Sequence, residues 1–235
     1  KFFVQQASLI VQSSAKLSSM RAPYDWRTPA LVAACLLPFL GFWATGLPDL
    51  DEGFYGAVVA HMLRTGDWVT PHFNGAPWFE KPILAYWLAA PSVAVFGEQF
   101  GPRLPSVLCT LATALVLFRF TKRHIDQETA RIATAAYCGS LLVVGVGRMM
   151  LTDAPFVLAL TLALTTFFDS INGEPKKRIV TAAALGVAVL AKGPVAGLLF
   201  LIIAGVTFWR MPDLRPNFKG HWLTGFALFA AIVAA

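Results

Sequence analysis

Residues 179–209 read IVTAAALGVAVLAKGPVAGLLFLIIAGVTFW, and their reading decides the fold. The single charge is Lys192, followed at once by Gly193 and Pro194. As one straight helix the stretch would run about 46 Å at 1.5 Å per residue, too long for a simple span of a bilayer core of roughly 30 Å. Two short arms turning at Lys192-Gly193-Pro194 fit instead, with the tip slightly inside one leaflet. A lysine submerged there is costly unless it faces a polar cavity, which makes Lys192 a functional candidate.

Outward from this hairpin the same character continues. The chain is 57% hydrophobic and 14% charged, with mean hydropathy +0.63, where a soluble domain is nearer a quarter charged. Leu31–Leu47, Ile132–Val146 and Ala154–Phe168 carry no charge, and Val107–Phe120 carries only Arg119 near its end. These runs approach the roughly 17–25 apolar residues that a spanning helix needs. The composition therefore specifies an all-α membrane protein. The net charge of +6 reads as membrane topology, not as affinity for nucleic acid. Cys35, Cys109 and Cys138 sit in or beside apolar runs, lack metal-ligand spacing and read as small buried hydrophobes.

Residues 1–27 read as a cytoplasmic segment, and residues 28–235 as the N-terminal part of a transmembrane domain with a first outer loop at 49–97. Met20, followed by Arg21 and Arg27, resembles a natural start, so residues 1–19 are expected to be foreign or a short surface helix. The apolar run to Ala235 has no polar flank, and continuation of the chain is the expectation.

Orientation follows from charge and parity. Basic connections occur at Lys16–Arg27, Arg119–Arg131, Lys176–Arg178 and Arg210–Lys219, and the positive-inside rule puts all of them on the cytoplasmic side. Pro48–Lys81 holds Asp49, Asp51, Glu52, Asp67 and Glu80 against Arg64 and Lys81, and should lie outside. Two apolar stretches, Pro82–Phe96 and Leu104–Phe120, then precede the basic Arg119–Arg131 loop, so one of them does not cross. Pro82–Phe96 has prolines at 82 and 91 and the interfacial pair Tyr86–Trp87, and reads as a helix lying on the outer leaflet. Seven spans follow: roughly Pro29–Pro48, Leu104–Phe120, Ala130–Gly147, Ala154–Ser170, Ile179–Ala191, Val195–Trp209 and His221 onward.

The polar residues of interest gather on the outer side. Asp51 and Glu52 follow the first span and open an amphipathic helix, Glu52–Arg64. Asp51 is either that helix's N-cap or a catalytic carboxylate. Lys81, in WFEKP at Trp78–Pro82, is either a snorkelling anchor or a ligand for an anion. Arg148 and Asp153 flank the next outer connection, where Thr152 or Asp153 can cap a helix. Lys192 completes the set, while His61 and His72 read as hydrogen-bonded residues. Carboxylates and cations converging from distant loops suit a reaction in which cations hold a lipid phosphate and a carboxylate handles the acceptor.

The motifs PDLDEGFYG (Pro48–Gly56), MLRTGDWVTPH (Met62–His72), NGAPWFEKPILAYW (Asn74–Trp87), RLPS (Arg103–Ser106), LTDAP (Leu151–Pro155) and AKG (Ala191–Gly193) occur in that order. This resembles the bacterial GT-C glycosyltransferases related to protein O-mannosyltransferases, especially the lipid A aminoarabinose transferases. The resemblance implies a multi-span GT-C helical bundle with outer-face juxtamembrane helices. It also implies transfer of a sugar, with inversion, from a polyprenyl-phosphate-linked donor to a lipid or protein acceptor at the outer face of the bacterial inner membrane. The family's functional positions fall on Asp51, with Glu52 beside it, and on Lys81, Asp153 and Lys192. Asp51, Glu52 and Asp153 are then the candidate catalytic acids, and Lys81, Lys192 and, by local inference alone, Arg148 the candidate phosphate ligands. Some family members use a divalent metal, for which Asp51 is the candidate ligand here. The competing classes are a transporter, whose charges lie nearer the midplane between inverted repeats, and a non-enzymatic membrane subunit.

The parity reading predicts labelling in a cysteine-free background. A cysteine at Asn74 or Gly97 should react from outside, and one at Asn172 or Asn217 only once the inner face is opened. Labelling of positions 74 and 97 from opposite sides would mean that Pro82–Phe96 crosses.

Overall fold

A computed structural model describes residues 27–44, 47, 50–214 and 222–234. The expectations for residues 1–26, for Asp49, and for the connection bearing Arg215 and Lys219 lie outside the described residues. The fold is helical apart from one small hairpin. In chain order it comprises α1 (Arg27–Leu36), ending in a 3-10 turn (Leu37–Phe39), α2 (Leu50–Thr65), β1 (His72–Phe73), β2 (Ala76–Pro77) and α3 (Leu84–Phe100). There follow α4 (Leu104–His124), α5 (Gln127–Gly139), α6 (Leu141–Gly147), α7 (Asp153–Ile171), α8 (Lys177–Lys192), α9 (Val195–Arg210) and α10 (Trp222–Val233).

Among the described residues α4 and α7, with 21 and 19 residues, are each long and apolar enough to cross a bilayer, and α5 with α6, bent at their junction, together reach the length of a broken span or a re-entrant loop. That break corrects the sequence reading of Ala130–Gly147 as one uninterrupted helix. Ser140 takes an extended backbone (φ −66, ψ 125), and the two halves meet at 61°. α8 and α9 have 16 residues each, about 24 Å at 1.5 Å per residue, shorter than the bilayer core. They turn at Gly193, whose φ of +73 favours glycine, so the hairpin expected from the sequence is present. Large apolar side chains face outward from the bundle, as at Leu141 (88% exposed) and Leu201 (69%). In water this would be a liability, but against lipid it is the expected arrangement.

Small residues let the central helices approach. α8 turns Ala184, Gly186, Ala188 and Ala191 inward, and a Cβ on Gly186 would stand 3.0 Å from Ile232 of α10. At the end that carries the basic connections, α4, α7 and α8 share buried Asp169. It meets Nε2 of His124 at 2.6 Å, Nη1 of Arg123 at 3.5 Å and the ammonium of Lys177. α1 is held to α5 at the same end by Arg27 with Glu128 (3.3 Å) and by Arg131 donating to Thr28 (3.0 Å).

At the opposite end α2 and α3 form their own layer. Tyr55, Val58, Val59 and Met62 of α2 interlock with Ala85, Tyr86, Ala89 and Ala90 of α3 and with Met150. α3, with 17 residues, is not among the helices long and apolar enough to span. It breaks at Gly97 (φ 77, ψ 172), after which the chain doubles back so tightly that a Cβ on Gly101 would lie 2.4 Å from the Val93 backbone. The β1–β2 hairpin, not foreseen as strand, turns on Asn74 and Gly75 with φ of 50 and 80. The loop before it is tied down locally. Asp67 accepts from the Val69 and Thr70 amides at 3.0 Å each, and the Trp87 indole donates to the Trp68 carbonyl at 2.7 Å.

Candidate active site

Asp51 and Glu52 are neighbours in the first turn of α2, and the fold gives them opposite roles. Glu52 is 1% exposed. Its two oxygens accept from Nε and Nη2 of Arg103 at 2.8 and 2.7 Å, and Oε1 also accepts from the Met150 amide at 2.7 Å. Arg103 in turn donates Nη1 to the Phe42 carbonyl at 2.9 Å. Bidentate pairing with extra backbone partners is the arrangement in which a buried ion pair can offset its desolvation. Glu52 was expected among the catalytic acids; its carboxylate accepts these three hydrogen bonds in the interior. Arg103 was visible to sequence reasoning only as part of RLPS, although an arginine between apolar stretches demands a buried anion.

Asp51 is exposed and, among the described residues, has no hydrogen bond or ion pair. The helix begins at Leu50, so Asp51 lies within its first turn and is not its cap. One turn on, Tyr55 is 3% exposed. Burial, then the negative charge of Asp51, push its phenol up to about 12, with the nearby Thr152 hydroxyl acting in opposition and Asp153 adding to the rise. Tyr55 thus places the start of α2 against the start of α7. Thr152 does not cap α7 with its side chain as the sequence suggested.

Asp153 opens α7 and pairs with Lys192 at the α8–α9 turn. Both side chains are a little over a third exposed, so the pair faces open space, with the ammonium 5.6 Å from the Phe156 ring centroid. Lys81 precedes α3, half-buried, and makes no hydrogen bond or ion pair among the described residues. Its neighbour Glu80 acts on the phenol of Tyr86, which is pushed up chiefly by burial, then by Tyr55 and Glu80, with the Trp78 indole opposing. The Tyr86 and Tyr55 rings lie 5.4 Å apart, so a tyrosine pair connects the Lys81 segment to the Asp51–Asp153–Lys192 group.

Arg148, a candidate phosphate ligand, is held by backbone carbonyls. It closes α6 and donates to the Pro38 and Leu40 carbonyls at 3.1 and 3.4 Å, which fastens the end of α1. Those carbonyls occupy the guanidinium that was expected at the donor phosphate. His61 and His72 are in ring contact at 4.9 Å, and Nδ1 of His72 donates to the Thr70 carbonyl at 2.9 Å. Among the described residues no three His, Cys, Asp or Glu side chains come together so as to hold a metal ion, and Asp51 does not by itself make such a site. A cleft of about 580 Å³ lies behind α2, lined by Gly53, Gly56, Ala57, Ala60, Arg64 and Glu98 among others, on a face away from Asp51.

Asp153 thus pairs with Lys192, Asp51 and Asp153 both act on the Tyr55 phenol, and the Glu52–Arg103 pair fixes the first turn of α2. Residues 80–235 match the model of the dolichyl-phosphate-mannose-protein mannosyltransferase family. The chain is 33% identical over 233 residues to undecaprenyl phosphate-alpha-4-amino-4-deoxy-L-arabinose arabinosyl transferase 1 of Pseudomonas fluorescens, covering 96% of this chain and 40% of that protein. It is 36% identical over 187 residues to arabinosyl transferase 2 of that species, covering 76% and 32%. The crystal structure of ArnT from Cupriavidus metallidurans bound to undecaprenyl phosphate shares the fold. The TM-score is 0.80 and the identity 23%, over 90% of this chain and 41% of that one. The apo form gives 0.79 and 24%, over 88% and 40%. The chain thus spans about two-fifths or less of the length of these relatives.

Removing one partner of the clamp should be far more damaging than its distance from the reacting groups suggests. Arg103→Leu leaves a buried carboxylate unpaired and should cost about 3–5 kcal/mol of stability. Arg103→Leu with Glu52→Leu should recover most of it. The check is a thermal melt in detergent; equal loss in the single and double variants would contradict the assignment.

Proposed function

The chain belongs to the dolichyl-phosphate-mannose-protein mannosyltransferase family, and on that premise we propose that it forms the donor-side half of a glycosyltransferase. The donor is a polyprenyl phosphate bearing an amino sugar, and the acceptor is a lipid related to lipid A. The curated relatives named above, which are undecaprenyl phosphate-aminoarabinose transferases, support this choice of donor. The reaction takes place at the outer face of the cytoplasmic membrane, a side supported by the distribution of basic loops. The observation that carries the reading is the gathering of unpartnered Asp51 with the Asp153–Lys192 pair at the membrane end where Lys81 also lies.

In this mechanism Lys192 and Lys81 hold the donor phosphate, and Asp153 fixes the direction of the Lys192 ammonium. An acceptor oxygen attacks the anomeric carbon from the side opposite the phosphate. The new C–O bond forms as the bond from that carbon to the phosphate oxygen breaks, and polyprenyl phosphate departs with the electron pair. Configuration at the carbon inverts. Charge grows on the leaving phosphate, so fixed cations stabilise the transition state more than the ground state. If the acceptor is a hydroxyl, its proton passes to Asp51; if it is a phosphate oxyanion, no proton moves and Asp51 orients. The Tyr55 phenol stays neutral across the physiological range and can only donate or accept a hydrogen bond there.

In the full-length enzyme, Asp51→Asn should lower kcat by about 10²–10⁴-fold with little change in donor affinity. Lys192→Ala and Lys81→Ala should weaken binding of polyprenyl phosphate itself, with a smaller loss of kcat. Steady-state transfer and thermal stabilisation by polyprenyl phosphate measure the two separately. Near-normal turnover of well-folded Asp51→Asn would remove Asp51 from the chemistry.

A further inference from the structure

The segment Trp78-Phe79-Glu80-Lys81 contains more than a phosphate ligand. Phe54 lies one turn beyond Asp51 on α2, and its ring stacks on Trp78 with centroids 5.6 Å apart and planes at 25°. Phe73 from the β1–β2 hairpin sets its edge against Phe54 at 4.8 Å and leans on Trp78 at 5.2 Å. All three rings are only half-buried, so the group keeps part of its aromatic surface open. Phe79 beside it is 74% exposed.

Glu80 is the second unused group. It is exposed, has no hydrogen bond or ion pair among the described residues, and lies close enough to the Tyr86 phenol to act on it. Glu80 and Lys81 are adjacent yet unpaired, outside any helix. An unpaired acid and an unpaired base side by side match a ligand that carries both charges. The head of a polyprenyl-phosphate amino sugar is of that kind, anionic at the phosphate and cationic at the amine. A cation over an aromatic face and against a carboxylate is held by both, most strongly where water is excluded.

Resting on the donor reading above, we propose that Glu80, together with the ring faces of Phe54 and Trp78, forms the subsite that receives the ammonium of the transferred sugar. Lys81 reads the phosphate, Glu80 reads the amine, and the aromatic floor excludes water from beneath the sugar ring. The subsite therefore selects an amino sugar over a neutral one, since a neutral hydroxyl would leave the Glu80 carboxylate without a counter-charge.

The test compares kcat/KM for the polyprenyl-phosphate amino sugar with that for the same donor N-acetylated, in the full-length enzyme. The wild type should favour the free amine. Glu80→Gln should reduce that preference about tenfold, and Phe54→Leu, which keeps volume but removes the ring face, should reduce it several-fold. Trp78→Phe retains a ring and should fall between the wild type and Phe54→Leu. The readout is the ratio between donors, so a general loss of activity does not mimic it. Binding of bare polyprenyl phosphate, followed by thermal shift, reports folding of each variant. An unchanged ratio in folded Glu80→Gln and Phe54→Leu overturns the amine subsite while leaving the transferase reading intact. Absence of transfer from either donor and of stabilisation by polyprenyl phosphate in the wild type would instead overturn the transferase reading.

Discussion

Burying a carboxylate and a guanidinium costs several kcal/mol per ion, and only complete, well-directed pairing offsets it. The Glu52–Arg103 pair meets that condition by reaching beyond itself, to the Met150 amide and the Phe42 carbonyl. Four segments are joined as a result: the end of α1, the start of α2, the start of α4 and the loop before α7. An apolar pair of equal volume could be as stabilising, but it would fix no direction. The charged version sets the rotation of α2, and the rotation of α2 decides that Asp51 faces out while Glu52 faces in. One acid is fully committed so that its neighbour can remain free.

The remaining polar residues follow from the same geometry. The loop fixed at Met150 leads into Asp153, which pairs with Lys192. Lys192 sits where two helices too short for the bilayer turn back, so its ammonium can reach an opening at the membrane end without leaving the apolar bundle. Arg148 serves the same assembly by fastening α1. Asp51, Glu80 and Lys81, which make no hydrogen bond or ion pair among the described residues, have a substrate charge or proton to meet in the proposed reaction.

Much of this was legible in the residues. The turn at Lys192-Gly193-Pro194 could be read because one lysine interrupts a run too long to be a single helix. A helix in the Pro82–Phe96 stretch, expected despite its two prolines, is observed over Leu84–Phe100. The helix expected over Glu52–Arg64 is observed over Leu50–Thr65. What stayed hidden depends on distant contacts. Nothing in the DE pair says which acid is buried, because that is decided by Arg103, 51 residues away. The break at Ser140 falls in an apolar run without proline, and the partners of Arg148 are backbone carbonyls, which no side-chain pattern announces.

The central claim is that the buried pair holds the 148–153 loop in place and, through it, the Asp153–Lys192 site. Amide hydrogen exchange on that loop in Arg103→Lys tests it most directly. Lysine keeps the charge but cannot reproduce two parallel donors. The account predicts that protection at Met150 and its neighbours falls sharply, while α8 and α9 remain protected. Unchanged protection across residues 148–153 in a folded Arg103→Lys protein would contradict it.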